Sequence, residues 1–184
     1  MAEGTRPAAF LDRDGTILDD PGFLHEPHKT RLLPGAARAI ARLNAAGYVV
    51  VTVSNQSGIG RGRYRVEDYQ AVERRLAELL AAEGARIDGS YCCPHYPPVS
   101  GPCACRKPGT KLFHQARETL RIDFAHSWWL GDRVSDIAPA HDLGGRAILV
   151  LTGYGTLHQG QARALGVRVA PDLAAAVDAI LGAR

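Results

Sequence analysis

The chain has 184 residues, enough for one domain with a sizeable core and too few for two ordinary ones. Its hydrophobic fraction of 46% is that of a soluble globular protein, and its formal charge of +3 is carried by arginines set among glutamates, as over Glu67 to Glu83, which reads as solvated faces and argues against a nucleic-acid stripe. No apolar run approaches the roughly 18–20 residues that span a bilayer, and Met1 to Ala9 lacks the apolar core of a signal peptide, so a monomeric cytoplasmic protein with neither membrane nor nucleic-acid partners is expected.

In chain order, Ala8 to Leu11 reads as a short apolar strand. It runs into Asp12-Arg13-Asp14-Gly15-Thr16, where two carboxylates share one face of an extended segment before a glycine lets the chain turn. Pro34-Gly35 precedes a helix over Ala36 to Ala46, stopped by Gly47. Tyr48 to Val53 is a β-branched run suited to a strand buried on both faces, and Val66 to Ala82 is a long amphipathic helix. Ile87 to Cys92 reads as a strand, Thr110 to Leu120 as a helix, and Trp128 to Leu130 as a short buried strand. Ser135 to Leu143 reads as a helix that tolerates Pro139 only near a first turn. Ala147 to Leu151 and Val167 to Val169 are strands, and Asp172 caps a closing helix to Leu181. Asp19 to Leu33 and Pro94 to Gly109 are the long irregular segments. This alternation predicts an α/β fold: a Rossmann-like three-layer sandwich with a mostly parallel central sheet, in one domain over residues 1–184.

In such a sheet, ligands bind beyond the carboxyl ends of the strands. Four separate polar peaks fall there: Asp12 and Asp14; Ser54-Asn55-Gln56-Ser57-Gly58; Arg106-Lys107-Pro108; and Gly131-Asp132-Arg133 with Asp136. Each alone could be a turn, a cap or a surface charge, but their joint order points to one site. The residue types suit phosphoryl transfer, which needs charge neutralisation and positioning. A carboxylate can form an aspartyl-phosphate, Asp12 and Asp132 are natural ligands for Mg²⁺, and Lys107 and the Ser54 hydroxyl can steady the transferring group. Asp14 is then free to act as acid and later as base.

All four cysteines fall between Cys92 and Cys105. Cys93, His95, Cys103 and Cys105 supply three thiolates and one imidazole, a closed tetrahedral set for a structural Zn²⁺ in a loop of about 92–108. Tyr96 to Pro102 is too rich in proline and glycine to pack a core unaided. Cys92 is expected to point the other way, into the core; free thiols or a Cys92–Cys103 disulfide are the alternatives. His28, His114, His126, His141 and His158 show no partner pattern, and Trp128-Trp129 reads as packing. Gly58-x-Gly60-x-Gly62 has the wrong spacing for a dinucleotide fingerprint, though it suits a phosphate or sugar approaching closely.

The string Phe10-Leu11-Asp12-Arg13-Asp14-Gly15-Thr16, with Val53-Ser54-Asn55, Lys107 and Gly131-Asp132-Arg133-Val134-Ser135-Asp136, resembles the four motifs of the haloacid dehalogenase superfamily over Phe10 to about Gly153. The resemblance implies Asp12 as nucleophile, Asp14 as acid and base with a main-chain Mg²⁺ contact, Ser54 and Lys107 on the phosphoryl group, Asp132 as Mg²⁺ ligand and Asp136 as its support. Ser54-Asn55-Gln56-Ser57-Gly58-Ile59-Gly60-Arg61-Gly62, the cysteine loop and Gly22-Phe23-Leu24-His25-Glu26 resemble a capless subgroup of that superfamily. The subgroup holds the D-glycero-D-manno-heptose 1,7-bisphosphate 7-phosphatases and the histidinol-phosphate phosphatases. It implies an open site for a small phosphorylated sugar, with substrate contacts from Arg13, Asp20, Pro21, Gly22, Phe23, Asn55, Gln56, Ser57, Arg106 and Arg133. Arg106 is the expected partner of a second phosphate, with Arg61 and Arg133 behind it. Histidinol phosphate, an amine-bearing substrate that Asp19, Asp20 and Glu26 could attract, stays open. So does a receiver-like phospho-accepting domain, which would have no use for Asp14 or a zinc loop.

Overall fold

The computed structural model describes residues 4–182, so Met1 to Glu3 of the stretch read for a signal peptide, and residues 183–184, lie outside it. Strand β1 (Arg6–Leu11) is followed by helix α1 (Ala36–Ala45), β2 (Val49–Asn55), the single turn α2 (Ser57–Gly60), α3 (Val66–Ala81) and β3 (Gly89–Cys93). Then come α4 (Pro97–Ser100), α5 (Lys111–Leu120), β4 (Ile122–Gly131), α6 (Val134–Ile137), α7 (Pro139–Leu143), β5 (Arg146–Val150), α8 (Gly155–Ala164), β6 (Arg168–Ala170) and α9 (Leu173–Gly182). The six strands form one sheet in the order β3-β2-β1-β4-β5-β6, and every pairing is parallel.

Side-chain alternation sorts the strands into two buried faces. Ala9, Leu11, Val50, Trp128, Leu130, Ile148 and Val150 pack on α1, α3 and α9. Ala8, Phe10, Val49, Val51, Val53 and Trp129 pack on α5 and α7, and Leu149 meets α6 and α8. Trp128 and Trp129 therefore serve opposite layers, and Trp129 stacks on Phe10 with centroids 4.7 Å apart. The expected three-layer sandwich is what forms, and among the described residues no cap domain is inserted between Gly15 and Gly35 or between Ser54 and Lys107.

The differences from expectation have local causes. Strand β4 begins six residues before Trp128, because Ile122 and Asp123 pair with Arg6 and Pro7 before the register shifts. Ser127 fills that irregularity, its Oγ accepting the Ala8 N–H at 2.8 Å. The polar residues that make the bulge hide the strand from a hydrophobic pattern. Helix α8 was not expected: only Gly155 and Ala162 on it are buried, and Leu157 is exposed, so it has almost no apolar stripe to detect. The helix read as Ser135 to Leu143 is two, α6 and α7, with Pro139 opening the second at a position where its missing N–H is harmless.

The order reverses between β1 and β4, whose connections run to opposite sides of the sheet. That switch point leaves a crevice at the strands' carboxyl ends. Asp12 follows β1 there and Asp132 follows β4, and Leu11 lies in register with Leu130.

Candidate active site

A cleft of ≈ 410 Å³ opens at this crevice and is lined from every polar peak of the sequence. Asp12, Asp14, Ser54, Asn55, Gln56, Ser57, Arg106, Lys107, Arg133 and Asp136 all face it, as do Asp20, Gly22 and Phe23. Pro21 does not line it.

At its floor lies an ion cluster. The Lys107 ammonium stands 2.7 Å from Asp12 Oδ1 and 2.8 Å from Asp136 Oδ1, and donates to the Val53 carbonyl. Its main chain is fixed by Asn55: Lys107 N donates to Asn55 Oδ1 at 2.9 Å, and Asn55 Nδ2 donates back to Lys107 O at 3.2 Å. The amide expected to read substrate is thus occupied in seating the lysine. Asp136 is engaged at both oxygens, accepting the Arg133 N–H at 2.9 Å on Oδ2. It supports the cluster rather than offering a free ligand atom.

Asp132 is fully buried, and its Oδ1 has no hydrogen-bond partner; its Oδ2 accepts the Tyr154 N–H at 2.7 Å. A buried carboxylate oxygen without a donor is costly unless a cation meets it. Asp12, Asp132 and Asp136 place carboxylate oxygens within 4.8 Å of one another, against one lysine. This set fits a hard divalent cation held by Asp12 and Asp132. Gly15 is required here: its φ is +84°, and a Cβ would lie 2.6 Å from Asp132 Oδ2.

Burial, opposed by Lys107 and reinforced by Asp136, Asp132 and Asp14, pushes the Asp12 carboxyl up to about 8. Burial likewise raises Asp132 to about 6. Both groups hold their protons more tightly folded than unfolded, so the metal-free protein loses stability as pH climbs from about 4 towards 8. Lys107 is shifted upward, mainly by its carboxylate partners against the opposing effect of burial, and so stays charged throughout that window. A cation replaces those protons. Mg²⁺ is therefore expected to raise the melting temperature more at pH 8 than at pH 5; calorimetry showing equal shifts at both would refute the cation site.

The Asp14 side chain is turned away from this cluster. Its Oδ1 accepts from Arg13 Nε at 2.9 Å, and its Oδ2 accepts from Arg13 Nη2 at 2.9 Å and from Gln56 Nε2 at 2.8 Å. Its carboxylate is not one of the three whose oxygens converge at the cluster. Arg13, expected to touch substrate, is fully buried behind Asp14 and does not line the cleft. That expectation is corrected, because a residue following a strand end alternates inward. Gln56 faces the cleft but is nearly buried, and its amide is engaged, donating to Ser54 Oγ at 2.6 Å and accepting from Tyr64 OH at 2.5 Å.

The rim is cationic. Arg133 lies over the Tyr154 ring, 3.9 Å from its centroid, and Arg61 lies over Tyr96 at 3.6 Å. Arg106 carries a buried guanidinium nitrogen, Nη1, with no partner. Tyr154 and Tyr64 line the cleft without any sequence signal; both are brought in by loops folding back from β5 and α2.

Beside this rim, Cys93, His95, Cys103 and Cys105 gather their ligand atoms within 4.8 Å. Cys93 Sγ is 3.7 Å from Cys103 Sγ and 3.1 Å from Cys105 Sγ, while His95 Nδ1 is 3.1 Å from Cys105 Sγ. Thiolates around tetrahedral zinc stand about 3.8 Å apart, so the cluster could hold that ion with small adjustment. All four cysteines are free, which disposes of the Cys92–Cys103 disulfide. Cys92 faces away from the cluster, towards Tyr69. The loop is tied to α2, with Gly60 N donating to Pro94 O at 2.9 Å. A Cβ on Gly60 would come within 2.7 Å of Pro94 O and Tyr96 N, so this glycine admits the loop rather than a ligand.

A family model described as HAD-hydrolase-like matches residues 104–176. The D-glycero-beta-D-manno-heptose-1,7-bisphosphate 7-phosphatase of Vibrio cholerae is 39% identical over 165 residues, covering 86% of this chain and 89% of that protein. The protein of the same name from Pseudomonas aeruginosa is 35% identical over 178 residues, covering 96% and 99%. Among solved structures, the D,D-heptose 1,7-bisphosphate phosphatase of B. bronchiseptica, complexed with magnesium and phosphate, superimposes with a TM-score of 0.88 at 34% identity, covering 97% of this chain and 99% of that one. With such identities sustained along nearly its whole length, the chain belongs to the haloacid-dehalogenase-like hydrolases, within the family of D-glycero-D-manno-heptose 1,7-bisphosphate 7-phosphatases.

Proposed function

We propose that the chain is a Mg²⁺-dependent phosphatase that removes the C7 phosphate of D-glycero-D-manno-heptose 1,7-bisphosphate through an aspartyl-phosphate on Asp12. One observation carries the reading: a carboxylate pinned by Lys107 at the cleft floor, beside a second carboxylate whose buried oxygen lacks a donor. Lys107 occupies Asp12 Oδ1, which leaves Oδ2 to attack phosphorus in line. Mg²⁺ bound by Asp12, Asp132 and the Asp14 carbonyl would neutralise charge between the carboxylate and the phosphoryl oxygens. Asp14 gives a proton to the departing C7 oxygen and then takes one from the water that cleaves the acyl phosphate. Lys107 and the Ser54 hydroxyl steady the transferring group. The open cleft and the short loop Asp20 to Phe23 leave specificity to side chains at the rim.

A bisphosphate needs a second anion contact, and Arg106, which lines the cleft, suits the C1 phosphate. Arg106→Ala is expected to raise KM for the bisphosphate about tenfold or more with little change in kcat, as loss of a charge-assisted contact to a remote group should. Steady-state kinetics showing a kcat loss at constant KM would reassign Arg106 to the chemistry. The substrate itself is tested by phosphate release, with Mg²⁺, from both anomers of the heptose bisphosphate and from histidinol phosphate in parallel. A higher kcat/KM for a heptose bisphosphate is expected. A preference for histidinol phosphate would keep the chemistry and overturn the substrate.

A further inference from the structure

Arg13 is held by more than its contact with Asp14. It is a fully buried arginine whose two-pronged contact with Asp14 accounts for only part of its guanidinium. The rest is met by α3. Arg13 Nη1 donates to Glu73 Oε1 at 3.1 Å, and the guanidinium carbon lies 5.1 Å from the centroid of the Tyr69 ring. Tyr69 and Glu73 are four residues apart on that helix and so share a face. Glu73 is itself mostly buried, with 15% of its side chain exposed.

We propose that Glu73 is a positioning residue for the acid–base step, acting on Asp14 through Arg13; this rests on the reading of Asp14 as acid and base. A guanidinium is planar and its donors are fixed in a fork. Holding Nη1 to Glu73 and the guanidinium carbon over the Tyr69 ring fixes the direction of Nε and Nη2, and with them both oxygens of Asp14. Gln56, held by Tyr64, fixes Asp14 Oδ2 from the other side. Without Glu73, Arg13 keeps Asp14 as its only charged partner and can pivot with it. Asp14 would then lose its bearing on the leaving oxygen, while the side chains of Asp12, Lys107 and Asp132, which share no hydrogen bond or ion pair with those of Arg13 or Glu73, would keep theirs.

That division gives a readout that mere loss of stability would not reproduce. A sugar alkoxide needs a proton to leave, whereas nitrophenolate leaves without one. Glu73→Ala is expected to lower kcat on the alkyl phosphate about tenfold with KM nearly unchanged, since misplacing a catalytic group by about an ångström has effects of that order or larger. The single-turnover burst of nitrophenolate from p-nitrophenyl phosphate should stay within about twofold of wild type. Glu73→Gln keeps an acceptor for Nη1 but not the charge, and should fall between the two. If Glu73→Ala does not fold, as judged by circular dichroism, Glu73→Gln carries the test through the ratio of alkyl to aryl rates. A lowered ratio supports the proposal. An unchanged ratio, whether both rates fall together or neither does, overturns it. Asp14→Asn is measured alongside. If that variant retains the alkyl rate, the acid–base reading of Asp14 has failed; if it loses the rate while the Glu73 variants do not, only the role of Glu73 has.

Discussion

Asp12→Asn is expected to abolish phosphate release, lowering kcat by a factor of ~10⁴ or more, while the fold survives. The amide is the same size as the carboxylate, and its oxygen can still accept the Lys107 ammonium that now sits 2.7 Å away. It is not a nucleophile, so no acyl phosphate can form. Stability should move the opposite way from activity. Asp12 is a buried carboxyl raised to about 8 by burial and by its acidic neighbours, so at neutral pH its ionisation opposes folding in the metal-free state. Removing the charge removes that penalty, and the metal-free melting temperature of the variant should equal or exceed that of wild type at pH 8. Mg²⁺ should stabilise the variant less, because one of the two carboxylates expected to hold it becomes a neutral amide. Rapid-quench mass spectrometry of wild type should find phosphate on the peptide containing residue 12, and none in the variant. A variant that retains more than about a hundredth of the wild-type rate would remove Asp12 from the nucleophile's role.

The parts legible from sequence were those in which one residue type has few other uses. The strand cores are continuous β-branched or apolar runs, and the Asp-x-Asp-Gly turn combines a period-two carboxylate pair with a glycine that geometry then demands at Gly15. The three cysteines and one histidine that could hold zinc declare themselves by composition. Direction was harder to read. Arg13 follows Asp12 by one residue and so faces the opposite way, into α3, where it meets Glu73, 60 positions further along the chain. Asn55 and Gln56 look like substrate donors in sequence, yet they spend their amides on Lys107, Ser54, Asp14 and Tyr64. Polar side chains next to a reactive cluster are as often its scaffold as its contacts, and only the distances separate the two uses. Helix α8 and Tyr154 escaped for a related reason. An exposed helix has little hydrophobic period, and a residue that acts through its backbone N–H on Asp132 leaves no trace in side-chain chemistry.

Cys103→Ser tests whether the cysteine loop is part of the catalytic scaffold. Around Pro97 to Pro102 nothing apolar is buried, and Val99 is 74% exposed, so the loop has no core of its own. Its order has to come from the Cys93, His95, Cys103 and Cys105 cluster and from the strap to Gly60. A serine hydroxyl does not ionise at neutral pH and is a poor ligand for zinc. Three donors would remain, and zinc content is expected to fall from about one equivalent to a small fraction of that. Cys105 lies two residues before Lys107, and Arg106 lies between them. Freeing the loop should therefore let both cations drift. The ammonium has anchors of its own in Val53, Asp12 and Asp136, whereas Arg106, which lines the cleft, has a guanidinium nitrogen with none. The loss should thus fall unevenly: KM for the bisphosphate should rise first, and kcat should drop by up to ~10² as Lys107 loses register. Mg²⁺ affinity should hardly change, because Asp12 and Asp132 are set by β1 and β4, away from the loop. A variant with full zinc content would refute the ligand set. A variant that loses zinc but keeps both KM and kcat would show that the metal holds only the loop, and that Lys107 is seated by the strands alone.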